Sequence, residues 1–326
     1  MLFFSYSAFF VCEENAMNKY LKIARLDHWI KQLFILPGMV IAVLITDVSY
    51  KEIGLAGFVL GFLGTCFIAS ANYVINEWLD APYDKYHPTK KNRPVVTENM
   101  SFKLVMVEYF LFAIIGLVFS WLVNKLFFIT ALVLLIMGLL YNVKPFRTKD
   151  IPYVDVLSES INNMLRLMMG WFIVTGDSVP PSSVLIGYWM AGAFLMATKR
   201  FAEYRMIGDK QLAGLYRRSF VIYTEKKLLA SALFYALIST FCIGVFMIKY
   251  RIEYIFVTPV MFLIYAYYLA MSLDDDSAVQ KPEKLYKEKR LMWLVLLFIL
   301  AVLFCSFVDM PFLHKLTSEA LIHVEV

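Results

Sequence analysis

Asn76, Asp80 and Asp84 recur every four residues in the stretch Asn76-Glu-Trp-Leu-Asp80-Ala-Pro-Tyr-Asp84. That spacing puts all three on one face of a helix end. The residues before them, Gly54 to Ile75, are mostly apolar, so the carboxylates emerge where a membrane-spanning helix meets water. Two carboxylates and an amide oxygen suit a hard cation such as Mg²⁺, which keeps several waters and shares its shell with substrate phosphates. Lys85, Lys90, Lys91 and Arg93 follow at once, and basic side chains there would neutralise those phosphates. The competing reading is a polar loop that only caps a membrane helix. The four-residue spacing and the basic follow-on argue against it.

These residues resemble the first aspartate motif of the UbiA superfamily of intramembrane prenyltransferases, Asn-Asp-x-x-Asp-x-x-x-Asp, with Glu77 in place of the usual second-position Asp. The continuation His87-Pro-Thr-Lys90-Lys-Asn-Arg93-Pro94 is most similar to the decaprenyl-phosphate phosphoribosyltransferase branch. Two further segments carry the resemblance. Arg25-Leu-Asp-His-Trp29-Ile-Lys31 resembles the N-terminal Arg-x-x-x-Trp-x-Lys segment, although a topological role for these charges competes with substrate contact by Lys31. Lys199-Arg200-Phe-Ala-Glu203 stands where most UbiA-type enzymes carry a second aspartate motif for another Mg²⁺ on a prenyl diphosphate. The resemblance covers roughly residues 20–230. It implies an Mg²⁺-dependent membrane transferase that moves a phosphoribosyl group from phosphoribosyl diphosphate to a polyprenyl phosphate. Two alternatives stay open: a UbiA-type prenyltransferase acting from a prenyl diphosphate on an aromatic or other acceptor, and a membrane carrier.

Composition supports a membrane setting for this chemistry. Hydrophobic residues make up 60% of the 326 residues, against about 45–50% in soluble domains. Apolar runs near 33–46, 54–75, 103–123, 126–141, 153–174, 184–198, 228–248, 253–271 and 291–309 approach or reach the ~18–20 residues that cross a bilayer. The expected fold is therefore an all-α polytopic bundle of about nine transmembrane helices, with a polar cavity facing the cytoplasm. Most of the 31 Lys and Arg residues fall on one set of connections, which the positive-inside rule makes cytoplasmic. This puts the N-terminus inside, the protein in the cytoplasmic membrane and membrane lipids around it. Nothing suggests nucleic acid. Residues 1–16 read as an extension without signal-peptide features, Met17 as an alternative start, and 17–326 as one domain.

The run at 153–174 is unusual, because Asp155, Glu159, Asn162 and Arg166 step by four, three and four along one stripe. A charge at mid-bilayer costs about 2.5–3.5 kcal/mol on insertion scales, so this helix must face a polar cavity unless Glu159 and Arg166 simply pair. Asp155, Glu159 and Glu203 are candidates to bind sugar hydroxyls or accept a proton. Lys144 and Arg147 in the short connection Tyr141-Asn-Val-Lys144-Pro-Phe-Arg147, with Lys199 and Arg200, are candidates for phosphate contacts. Asn76, Asp80 and Asp84 would hold the metal, Asp80 and Asp84 acting in catalysis as well. Lys31, Lys90, Arg93, Tyr141, Asn162 and Arg166 complete the expected substrate contacts. The four cysteines and four histidines lack metal-ligand spacing, and Asp274-Asp275-Asp276 reads as a solvated acidic turn.

Overall fold

The computed structural model describes residues 19–46, 48, 54–274, 277–280 and 282–316. The extension over 1–16, Met17, Cys12, His323 and the acidic-turn residues Asp275 and Asp276 lie outside the described residues. Within them every regular element is helical. The long helices are α1 (Leu36–Ile45), α2 (Leu55–Asp84), α3 (Phe102–Val123), α4 (Lys125–Asn142), α5 (Val154–Val174), α6 (Ser182–Ile207), α7 (Glu225–Tyr250), α8 (Thr258–Ser272) and α9 (Lys289–Phe307). They fall into two compact units, one comprising the chain up to Pro180 with Ile207–Glu225, the other Pro181–Met206 with Lys226 onward.

Among the described residues, seven helical segments are long and apolar enough to cross a bilayer, which makes this an integral membrane protein. Nine spans were expected. The two that do not reach that measure are α5 and α6, helices of 21 and 26 residues that carry charged side chains. The first apolar segment begins earlier than expected, running from Lys19 to Ile45 through a 3₁₀ stretch at Leu26–Ile35. In the second unit, outward faces of α7 and α9 present Phe241, Ile248, Trp293 and Phe307. Such faces suit lipid, which needs no polar partner from them.

Helix length sets the position of the aspartates. At about 1.5 Å per residue, the 30 residues of α2 reach roughly 45 Å, against a hydrocarbon core near 30 Å. The surplus carries Asn76, Asp80 and Asp84 past the apolar zone. Below them α2 is buried through Ile68, Ala71 and Val74 against Phe127 and Leu134 of α4. Asn124 fixes the α3–α4 turn by accepting from the Phe127 amide (2.9 Å) and donating to the Phe172 carbonyl (2.6 Å).

Close backbone approach brings α5 to α1. A Cβ on Gly170 would lie 1.8 Å from the Ile35 carbonyl oxygen, and one on Gly38 would lie 1.9 Å from that of Leu167. Neither carbonyl is a flexible group that can move aside. Gly170→Ala is therefore expected to force the helices apart at a cost of about 1–3 kcal/mol, the usual scale of overpacking. A thermal melt in detergent reads the loss; an unchanged melting temperature would refute this account of the crossing.

Candidate active site

The polar end of α2, the connection 143–153 and the segment 210–223 converge on one cavity, all within the first unit. Three carboxylates line it, Asp80, Asp84 and Asp150; so do Arg147, Lys149 and Arg217, with the rings of Tyr83 and Tyr216.

Asp80 is the centre of this arrangement. Its Oδ1 accepts from the Arg147 guanidinium (3.0 Å) and from the Lys149 ammonium, while its Oδ2 accepts from the Asn76 amide nitrogen (3.2 Å). Arg147 also reaches Asp150 at 3.2 Å, donates to the Asn142 carbonyl at 3.0 Å and stacks over Tyr83 at 4.6 Å. It adopts φ 29°, ψ 60°, a left-handed backbone that a non-glycine side chain holds only when its contacts over-determine it. Lys149 is 3% exposed. Burial pushes its ammonium down to about 8; the Asp80 charge pulls it up, while Arg147 and Arg217 add to the fall.

Asp84 belongs to a second ion cluster. Arg93 donates to it at 2.6 Å and lies 3.2 Å from Glu77, which is also 3.3 Å from Arg25. Burial alone would lower the Arg93 guanidinium, yet Glu77 and Asp84 outweigh it and hold the group above its ordinary value. Glu77, standing where the aspartate motif usually has Asp, thus ties the entry segment to the loop after α2. Lys90 donates to the Tyr216 hydroxyl and sits over that ring, which His87 meets edge-on at 4.6 Å.

The stripe on α5 faces inward through its partners. Asp155 is completely buried and accepts from Ser219 (3.1 Å) and Tyr223 (2.7 Å), with Arg217 at 3.8 Å. That carboxylate anchors the 218–223 segment. Glu159 accepts from Tyr141 at 2.7 Å, and Tyr141 in turn receives Arg217 at 3.3 Å. Arg166 donates to Gln32 (2.7 Å) and Asn163 (3.3 Å), and Asn162 has a buried amide oxygen without a hydrogen-bond partner. Lys31 lies against the His28 ring at 3.3 Å.

The expected residues therefore separate. Asp80, Asp84 and Arg147 share the cavity wall, and Asn76, Lys90 and Arg93 join it through one intermediate contact. Lys144 is exposed and is not part of the lining, which uses Lys149 instead. Lys199, Arg200 and Glu203 lie on α6 in the second unit, where the buried Arg200 meets Glu203 at 3.5 Å. Lys149, Asp150, Arg217, Tyr83 and Tyr216 are the lining residues that the sequence reading left out. Asn76 presents its nitrogen to Asp80, where an oxygen ligand was expected. Among the described residues, no three acidic, histidine or cysteine side chains form a ready-made metal cage.

Residues 34–297 match the UbiA prenyltransferase family. The chain belongs to that family. It is similar to the decaprenyl-phosphate phosphoribosyltransferase of Mycolicibacterium smegmatis, 29% identical over 220 residues, a match that spans 66% of this chain and 65% of the relative's own length. The enzyme of the same name from Mycobacterium tuberculosis is 23% identical over 293 residues, covering 88% of this chain and 94% of that one. In fold, the chain is similar to a UbiA homologue from Archaeoglobus fulgidus solved bound to DMAPP and Mg²⁺, with TM-score 0.65 and 22% identity over 89% of this chain and 100% of that chain.

Proposed function

We propose that this UbiA-family transferase moves a phosphoribosyl group from phosphoribosyl diphosphate to a polyprenyl phosphate, in a Mg²⁺-dependent reaction. The observation that carries the reading is the cavity wall: three carboxylates and three basic side chains meet at the protruding end of an apolar helix. That set suits a diphosphate delivered from water to an acceptor held in lipid.

The donor set fits Mg²⁺, because a hard cation takes oxygen ligands and completes its shell with water and substrate phosphates instead of an all-protein cage. Asp80 and Asp84 are the residues that would hold it, with Asn76 and Asp150 within the same group. Bound there, Mg²⁺ supplies positive charge that stabilises the departing diphosphate. Arg147, Lys149 and Arg217, beside these carboxylates in the same lining, would bind the same phosphates. The bond between the anomeric carbon and the diphosphate oxygen breaks, a lipid phosphate oxygen forms the new bond, and pyrophosphate leaves. Tyr141 of α4 and Glu159 of α5 extend the polar network beyond Arg217. The concentration of basic residues on one set of connections supports a cytoplasmic opening for this cavity.

The donor identity is supported by the two relatives, both decaprenyl-phosphate phosphoribosyltransferases, and by the sequence, which has Lys199-Arg200 where a second aspartate motif would stand. A second reading, transfer of a prenyl group, is favoured by the Archaeoglobus fulgidus fold relative, whose structure contains DMAPP and Mg²⁺. Purified protein supplied with labelled phosphoribosyl diphosphate and polyprenyl phosphate is expected to release pyrophosphate and yield a phosphoribosylated lipid. Product formed only from a prenyl diphosphate would establish the second reading. Release of no pyrophosphate from either donor would refute both readings.

A further inference from the structure

Lys149 does more than contribute one positive charge to the wall. It is almost fully enclosed, and its ammonium bridges Asp80 Oδ1 and the side-chain oxygen of Asn142, the latter at 2.6 Å. Asn142 is held in that orientation because its own nitrogen donates to the Gly138 carbonyl at 2.8 Å. The same Asn142 oxygen accepts from Asn76 at 2.5 Å, and Asn76 donates onward to Asp80 Oδ2 at 3.2 Å. The result is a closed circuit, Asp80–Lys149–Asn142–Asn76–Asp80. Arg147 adds a second cation to Asp80 from outside the ring.

Every oxygen of Asp80 is therefore already engaged from within the chain, and its single negative charge faces two positive groups. A divalent cation arriving alone would meet the ammonium and the guanidinium at close range in a poorly hydrated place, where like charges repel strongly. A diphosphate changes that balance, because its several negative charges give Lys149 and Arg147 a new partner as Asp80 is released. Asn76 fits the same exchange, since its nitrogen points to Asp80 in the closed circuit and turning its amide would offer oxygen instead.

We propose that Lys149 is a built-in counter-ion of Asp80, which yields that carboxylate to a divalent cation only when a diphosphate accompanies it and then passes to the diphosphate. The proposal rests on the reading of Asp80 as a metal-holding residue. It makes Lys149 a coupling residue: metal and donor enter together, and neither occupies the cavity productively alone.

The test uses the full chain in detergent, with Mn²⁺ as probe followed by electron paramagnetic resonance, and inorganic pyrophosphate as the diphosphate. Wild-type protein is expected to bind Mn²⁺ more tightly with pyrophosphate than without by about tenfold or more, an ordinary scale for coupling between two sites. Lys149→Met is expected to bind Mn²⁺ without pyrophosphate, and the enhancement by pyrophosphate should shrink. Lys149→Gln serves if the Met variant fails to fold, and Lys149→Arg should keep the wild-type pattern. Equal Mn²⁺ affinity in wild type with and without pyrophosphate, or a Lys149→Met protein that still requires pyrophosphate, would overturn the proposal and leave the metal reading standing. If no protein binds Mn²⁺ even with pyrophosphate, or if Asp80→Asn leaves binding intact, the metal reading itself falls and takes the proposal with it.

Discussion

Asp80→Asn is expected to lower turnover by about 10²–10³-fold, the scale for losing one preorganised electrostatic group in a transition state. The loss should appear in kcat and kcat/KM together, because charge on the departing diphosphate develops as the bond breaks. From its position at a water interface alone, this substitution would be expected to leave the fold untouched. The contacts indicate otherwise: Arg147 and Lys149 are 6% and 3% exposed, and Asn removes the carboxylate that both share. Leaving a buried charged partner unsatisfied costs about 1–3 kcal/mol or more. Turnover must therefore be compared at a temperature where a melt confirms that the variant is folded. Full activity in the folded variant, or wild-type activity that survives EDTA, would remove Asp80 from the reaction.

The two halves of this centre differed in how far they could be read from the chain. Asp80 and Asp84 were legible because a helix converts a four-residue repeat into one face, and the apolar run ahead of them fixes where that face emerges. The α5 stripe was legible for the same reason, and Asp155, Glu159 and Arg166 all find partners inside the bundle. Lys149 and Asp150 were not, although they share the loop that carries Lys144 and Arg147. A non-helical connection has no fixed period, and here the left-handed turn at Arg147 sends Lys149 inward while Lys144 stays exposed. Arg217 is about seventy residues from the α4–α5 connection, and its place beside Tyr141 and Asp155 follows from tertiary packing that no local pattern encodes. Hydropathy located nine helical runs, yet α5 and α6 exist as helices while missing the apolar measure. Their polar residues face neighbours within the protein, so lipid solubility does not describe them.

Arg93→Met should produce a large loss of stability, because one guanidinium serves two enclosed carboxylates. Asp84 and Glu77 are 1% and 3% exposed, at 2.6 Å and 3.2 Å from Arg93. Breaking a buried pair by removing one partner typically costs about 3–5 kcal/mol. The lower end is expected here, since the Arg93 side chain is 20% exposed and Arg25 remains 3.3 Å from Glu77. Asp84 has its salt bridge with Arg93 and otherwise feels the charge of Lys90 nearby, so its less compensated charge dominates the penalty. Adding Asp84→Asn to Arg93→Met should then recover part of the stability, whereas adding Glu77→Gln should recover less. Thermal melts of the two double variants against the singles give the coupling directly. Additive losses in both cycles would mean that Arg93 acts through its backbone or its packing and that the ion cluster contributes nothing measurable. Recovery of stability without recovery of turnover in Arg93→Met/Asp84→Asn would separate the part of Asp84 as the partner that neutralises Arg93 from the metal-holding part proposed for it on the cavity wall.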